Sequence, residues 1–215
     1  MKKLLPLLFA FLLTACQVDL PFLPDDTFAQ SGDILFQDDF SDPQSGWLTA
    51  ANEVGLAEYT SDGLFHIRVD APGYNFWSTP GLKVTNVIME VDSLKFAGPE
   101  INRIGLVCRY QNPQNYYFFI ISTDGYYGVG KVKDGISTLL AQTQMERNSA
   151  VQSGAAINRL RGECVGNTLI FYVNQKPLAI VNDPDFTQGD VGLLVGAFDD
   201  AGVDVYFDNF IVTKP

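Results

Sequence analysis

Histidine is almost missing from this chain: there is one, His66, in 215 residues, together with only three cysteines. A zinc site of the usual ligand composition needs more than that. His66 lies in "GLFHIRVDA", on one strand face with Arg68 and Asp70, and reads as a solvated strand residue. A nucleophilic triad needs histidine beside an activated serine or cysteine, and no G-x-S-x-G occurs. Runs of lysine or arginine are equally absent, and 14 basic against 25 acidic residues give a net charge of −11. Such a surface repels phosphate backbones, so nucleic acid is not an expected partner. No segment carries a helical apolar face, and no apolar run reaches the roughly 20 residues that span a bilayer.

What is present begins at the N-terminus. "MKKLLPLLFAFLLTAC" sets Lys2 and Lys3 before an apolar stretch from Leu4 to Leu13 and ends in Leu13-Thr14-Ala15-Cys16. That is the layout of a signal peptide over residues 1–15. The Leu-Thr-Ala-Cys ending resembles the bacterial lipobox, which implies cleavage before Cys16 and acylation of that cysteine. The alternative is a non-lipidated secretory signal with an incidental cysteine. Removal of residues 1–15 takes two lysines, moves the net charge to −13 and leaves 200 residues, enough for one domain. So acidic a surface gains nothing from an anionic membrane, so attachment rests on the lipid. Gln17 is not the aspartate that favours inner-membrane retention in Gram-negative cells, and an outer-membrane address is therefore allowed. The expected location is extracytoplasmic and membrane-anchored.

In that oxidising setting the two remaining cysteines, Cys108 and Cys164, are expected to form a disulfide. Both sit in strand-like segments, "IGLVCRY" and "RLRGECV"; two buried free thiols are the alternative. Residues 16–33, the lipidated cysteine and "QVDLPFLPDDTFAQSGD", read as a tether, stiffened by Pro21 and Pro24 and solvated by acids. The folded domain is expected over 34–215.

Across that domain the apolar pattern has a period of two. "LFHIRVDA", "VIMEVDS", "IGLVCRYQ", "YYFFIIS", "YYGVGKV", "RLRGECV", "TLIFYVN", "LAIV", "VGLLVGAF" and "VYFDNFIV" all read as strands. Asp124-Gly125, Asp134-Gly135, Gly166-Asn167 and Asn174-Gln175 supply hairpin turns, because these residue types tolerate positive φ. The fold class is all-β, a two-sheet antiparallel β-sandwich.

The series "DDFSDPQSGW", "GLVCRYQNPQNYYFFIISTDGYYGVGKV", "NRLRGECVGNTLIFYVNQKPLA" and "GDVGLLVGAF…VYFDNFIV" resembles a concanavalin A-like jelly roll. It is most similar to laminin-G-like domains and the 3-keto-disaccharide hydrolase type of exported bacterial proteins. The resemblance implies a sandwich with one concave sheet that commonly carries a carbohydrate site. It leaves function open, since that superfamily holds lectins, glycosidases and adhesion modules. "EVDSLK", residues 90–95, is similar to the E-x-D-x-x-E strand of laminarinase-type glycosidases, but Lys95 stands where the second glutamate is needed.

Alternation nominates the side chains of a polar face. Glu90 and Asp92, Arg109, and Arg161 with Glu163 each lie out of phase with the inward residues of their strands. Together they would form a ladder suited to sugar hydroxyls, or a set of ordinary cross-strand ion pairs. In "NYYFFIIS", Tyr116, Phe118 and Ile120 share one face and Tyr117, Phe119 and Ile121 the other, as in a strand covered on both sides. Tyr127 is a candidate for stacking on a sugar ring. So is Trp77, which lies among the turn residues of "GYNFWSTPG". The glycan-binding candidates are thus Trp77, Glu90, Asp92, Arg109, Tyr127, Arg161 and Glu163.

No cofactor is expected. Oxygen ligands in "DPDFTQGD" (183–190), "FDD" (198–200), "DDF" and "FDNF" keep a calcium site open beside the alternative of solvated acidic turns. The reading is an anchored lipoprotein that binds an envelope or extracellular glycan. Two alternatives are a hydrolase of a modified disaccharide and a non-catalytic structural or adhesion module.

Overall fold

The computed structural model describes residues 32–215. The leader, Cys16 and the tether up to residue 31 lie outside the described residues. In chain order the strands are β1 (Ile34–Asp38), β2 (Ala50–Asn52), β3 (Gly55–Tyr59), β4 (Phe65–Val69), β5 (Asn75–Ser78) and β6 (Val87–Ala97). There follow β7 (Asn102–Asn112), β8 (Asn115–Ser122), β9 (Tyr126–Lys133), β10 (Ile136–Leu139) and β11 (Glu146–Arg147). The last five are β12 (Ile157–Val165), β13 (Thr168–Val173), β14 (Lys176–Asn182), β15 (Asp190–Ala197) and β16 (Val203–Thr213).

They form the expected antiparallel sandwich. The nine-stranded sheet runs β14-β13-β12-β6-β16-β4-β3-β2, with β1 also on β16. The seven-stranded sheet runs β10-β9-β8-β7-β15-β5, with β11 also on β9. The predicted hairpins are present. Asp134 and Gly135 both have positive φ, 51° and 80°, as do Asn174 and Gln175 at 50° and 68°, so each pair makes a tight two-residue turn.

Alternate residues of each strand meet between the sheets. Met89, Val91, Leu160, Phe171 and Phe207 come from the larger sheet, and Leu106, Tyr117, Phe119, Val129 and Val195 from the smaller. The Cys108–Cys164 disulfide joins β7 to β12 through the middle of this core, with both cysteines fully buried. It ties one sheet to the other across 56 residues of chain.

Because a bridge of this kind restricts the unfolded chain, replacing both cysteines by alanine is expected to cost about 2 to 5 kcal/mol. Urea unfolding measures it. A midpoint unchanged by the double substitution would mean that the bridge adds nothing.

Candidate functional site

The smaller sheet is apolar on its outer face as well as its inner one. β8 turns Tyr116, Phe118 and Ile120 outward, where they pack with Val107, Val132 and Leu194 into a second buried cluster. Around them several outward positions of the neighbouring strands are glycines: Gly105 and Gly128 flank Ile120, and Gly130 pairs with Phe118. A Cβ at Gly130 would meet the Phe118 ring at 2.3 Å and the Thr138 carbonyl oxygen at 2.5 Å. Only glycine therefore leaves room for the ring over β9.

The result is a hollow in the sheet, walled on one side by the segment 137–145. The Leu140 amide donates to the Val129 carbonyl (2.9 Å), and Gln142 Nε2 donates to the Tyr127 carbonyl (3.1 Å), which hold that wall in place. A cleft of about 710 Å³ remains, floored by Tyr116, Phe118, Ile120 and Leu194. Its polar lining is Asn75, Arg103, Ser137, Thr138, Gln142 and Thr143. No Asp or Glu is among the described residues that line it. The Gln142 Oε1 atom is buried there without a hydrogen-bond partner among the described residues.

Arg103 closes the opposite wall. Its guanidinium lies 3.8 Å above the Phe198 ring, and Nη1 donates to Asn75 Oδ1 (2.7 Å) and the Ala197 carbonyl (3.2 Å). Burial pulls it below the usual arginine range, which still leaves a cation at any ordinary pH. Burial is also the main reason that the Tyr116 phenol is pushed up to about 12, with Tyr110 adding to the shift and Arg103 and Asn75 opposing it.

The residues singled out in the sequence are divided among three places. Glu90, Asp92, Arg161 and Glu163 do share the outer face of the nine-stranded sheet, with Arg159. There they saturate one another: Arg161 meets Glu163 at 2.6 Å and Glu90 at 3.3 Å, while Arg159 meets Asp92 at 3.1 Å and Glu90 at 3.2 Å. Trp77 is on the other sheet. It stands in β5 rather than in a turn, half-buried against Tyr116, and its indole N–H donates to the Tyr110 hydroxyl at 2.9 Å.

Arg109 and Tyr127 are not on an outer face at all. Arg109 is 1% exposed and donates to the carbonyls of Thr85, Gly166 and Phe186. Strict alternation fails there because Arg109 adopts a φ of 50° and the β7–β8 register shifts, a bulge that re-aims the side chain. Tyr127 is 7% exposed and part of the main core, because its pairing with the inward Ile121 fixes its phase. His66 likewise is not solvated. It is 6% exposed, stacked on Tyr206 and bonded to Glu58 (3.3 Å) and Asp204 (2.9 Å). Lys95 is buried and pairs with Glu100 at 2.6 Å.

Two of the acidic turns are engaged as well. Asp183 and Asp185 share Lys131, and Asp38 accepts from the Trp47 indole at 2.9 Å and from the Phe40 amide at 2.8 Å. Among the described residues no group of three or more His, Cys, Asp or Glu is placed to hold a metal ion.

Two antiparallel sheets in this arrangement define a concanavalin A-like jelly roll. No protein-family model matches the chain, and no curated protein does. Solved structures do match. The carbohydrate binding module CBM66 from Bacillus subtilis superposes with a TM-score of 0.61 at 18% identity, over 79% of this chain and 96% of that one. A Bacillus subtilis protein of unknown function with a galectin-like fold gives 0.66 at 13%, over 86% and 97%. The Bacillus licheniformis beta-glucanase gives 0.62 at 12%, over 86% and 100%. Identities this low establish the fold alone.

The phenols give a direct check on burial at the floor and in the core. Tyr116 and Tyr117 are both pushed up to about 12, chiefly by burial. An unfolded tyrosine ionises near pH 10, so the stability that these two contribute is complete below roughly pH 10 and is lost as pH rises towards 12. In an alkaline ultraviolet titration of the nine tyrosines, two are expected to ionise last, together with unfolding. Nine phenols titrating together in a folded protein would contradict this.

Proposed function

We propose that this chain is an extracytoplasmic lipoprotein, anchored through Cys16, whose jelly-roll domain binds a glycan in the cleft of the seven-stranded sheet. The observation that carries the reading is the composition of that cleft. An apolar floor of Tyr116, Phe118, Ile120 and Leu194 is bordered by amide, hydroxyl and guanidinium groups. A sugar ring presents the same two features, an apolar C–H face and a rim of hydroxyls that donate and accept. A volume of about 710 Å³ suits one or two such rings.

Two of the solved structures that share the fold are a carbohydrate binding module and a beta-glucanase, and this supports the same reading. Hydrolysis by a retaining or inverting route needs two carboxyl groups about the scissile bond. The described lining offers none, which favours binding over the hydrolase alternative. For the anchor, the supporting observations are the Leu13-Thr14-Ala15-Cys16 motif and a buried disulfide that suits an oxidising compartment.

Two measurements check the two halves. On a glycan array, the full chain is expected to bind a restricted set of sugars. Ser137→Trp, at an exposed position of β10 that shares the outward phase of Val132 on the cleft wall, should abolish that binding, and Arg161→Ala on the opposite sheet should leave it intact. Loss with the second variant and not the first would move the site to the charged sheet. For the anchor, cells fed radioactive fatty acid are expected to label the wild type and not Cys16→Ala. An unlabelled wild type would end that part of the reading.

A further inference from the structure

The charge of the cleft runs against the charge of the protein. The chain as a whole carries −11, yet among the described residues the one ionic side chain in the cleft lining is the cation Arg103. Most other arginines have their demands met. Arg68 is held by Asp70, Arg159 and Arg161 are held by carboxylates, and Arg109 is bound by three backbone carbonyls. Arg103 makes no ion pair among the described residues. Its Nη1 is taken by Asn75 and Ala197, while Nε and Nη2 donate to no described residue. The stacking on Phe198 fixes the plane of the group, so that its unused N–H donors form a pre-set fork.

We infer that the cleft takes an acidic glycan, with a uronic-acid carboxylate paired to the free N–H groups of Arg103. The inference rests on the glycan reading above and names the ligand class of that site. A carboxylate presents two coplanar oxygens at the spacing of the guanidinium fork and restores the counter-charge that the fold withholds. The sugar ring that carries it would then lie on the floor of Tyr116 and Phe118. No carboxylate in the described lining stands against it. A sulfate ester offers related oxyanion chemistry, and the experiment separates the two.

The test is titration of the full chain with a panel of uronate oligomers (galacturonate, mannuronate, guluronate and hyaluronan). Each uronate is paired with its carboxyl-reduced neutral form, and dextran sulfate is paired with dextran. The wild type is expected to bind at least one uronate at least roughly tenfold more tightly than its reduced form, the loss expected when a charged hydrogen-bonded pair is broken. Raising the salt concentration should weaken that binding and no other. Arg103→Gln should erase the difference while its thermal midpoint shows it folded, and Arg103→Lys, which keeps the charge without the fork, should retain part of it. The salt and reduced-oligomer arms need no variant and stand even if Arg103→Gln fails to fold. Glycans bound without regard to charge would overturn this inference and leave the glycan reading intact. Binding of the sulfated polymer alone would overturn the uronate assignment. Silence towards every uronate and towards the array would overturn both.

Discussion

Successive residues of a β-strand face opposite ways, and β8 carries rings and isoleucines in both directions. Tyr117, Phe119 and Ile121 are buried by the nine-stranded sheet. Tyr116, Phe118 and Ile120 have no third sheet to cover them. Each large apolar side chain loses about 1.5–3 kcal/mol if left in water. The chain meets this constraint by folding the segment 137–145 back over the sheet and by placing glycines next to the rings, so that side chains on β8 fill the space that β7 and β9 leave empty. The cover is incomplete, and the uncovered part is the cleft.

That arrangement separates two jobs that the sequence alone runs together. Stability lies between the sheets, where the Cys108–Cys164 bridge, the Phe119–Phe171 contact and the Arg109 clamp on three loop carbonyls hold the sandwich closed. The charged outer face of the larger sheet adds cross-strand pairs at about 0.2–1 kcal/mol each and leaves few donors or acceptors free for a ligand. Recognition, in the proposed reading, falls to the other sheet, whose polar groups are fewer and less engaged.

The architecture was legible in the sequence because a period of two and tight-turn dipeptides are local signals. Every segment read as a strand is one, and Cys108 and Cys164 form the disulfide that the cysteine count and the oxidising setting led one to expect. The cleft was not legible, for three physical reasons. Register between strands far apart in the chain, which decides that Leu194 of β15 lies opposite Gly105 of β7, is not written in either segment. A single bulge at Arg109 reverses the phase that alternation assigns. Arg103 lies directly before "IGLVCRYQ", and its isolation from carboxylates appears only when the sheets are assembled. The outward glycines in "YYGVGKV" and "VGLLVGAF" were the one sequence signal available, since glycine inside a strand marks close approach by something else.

The central claim is that the hollow of the seven-stranded sheet, not the charged sheet, receives the ligand. Methyl NMR of the full chain during titration with a bound glycan tests it most directly. The account predicts shifts at Ile120, Val132, Leu139, Met145 and Leu194 around the cleft, with Ile88, Ile170 and Ile180 on the far face unmoved. Shifts confined to those three isoleucines would contradict it.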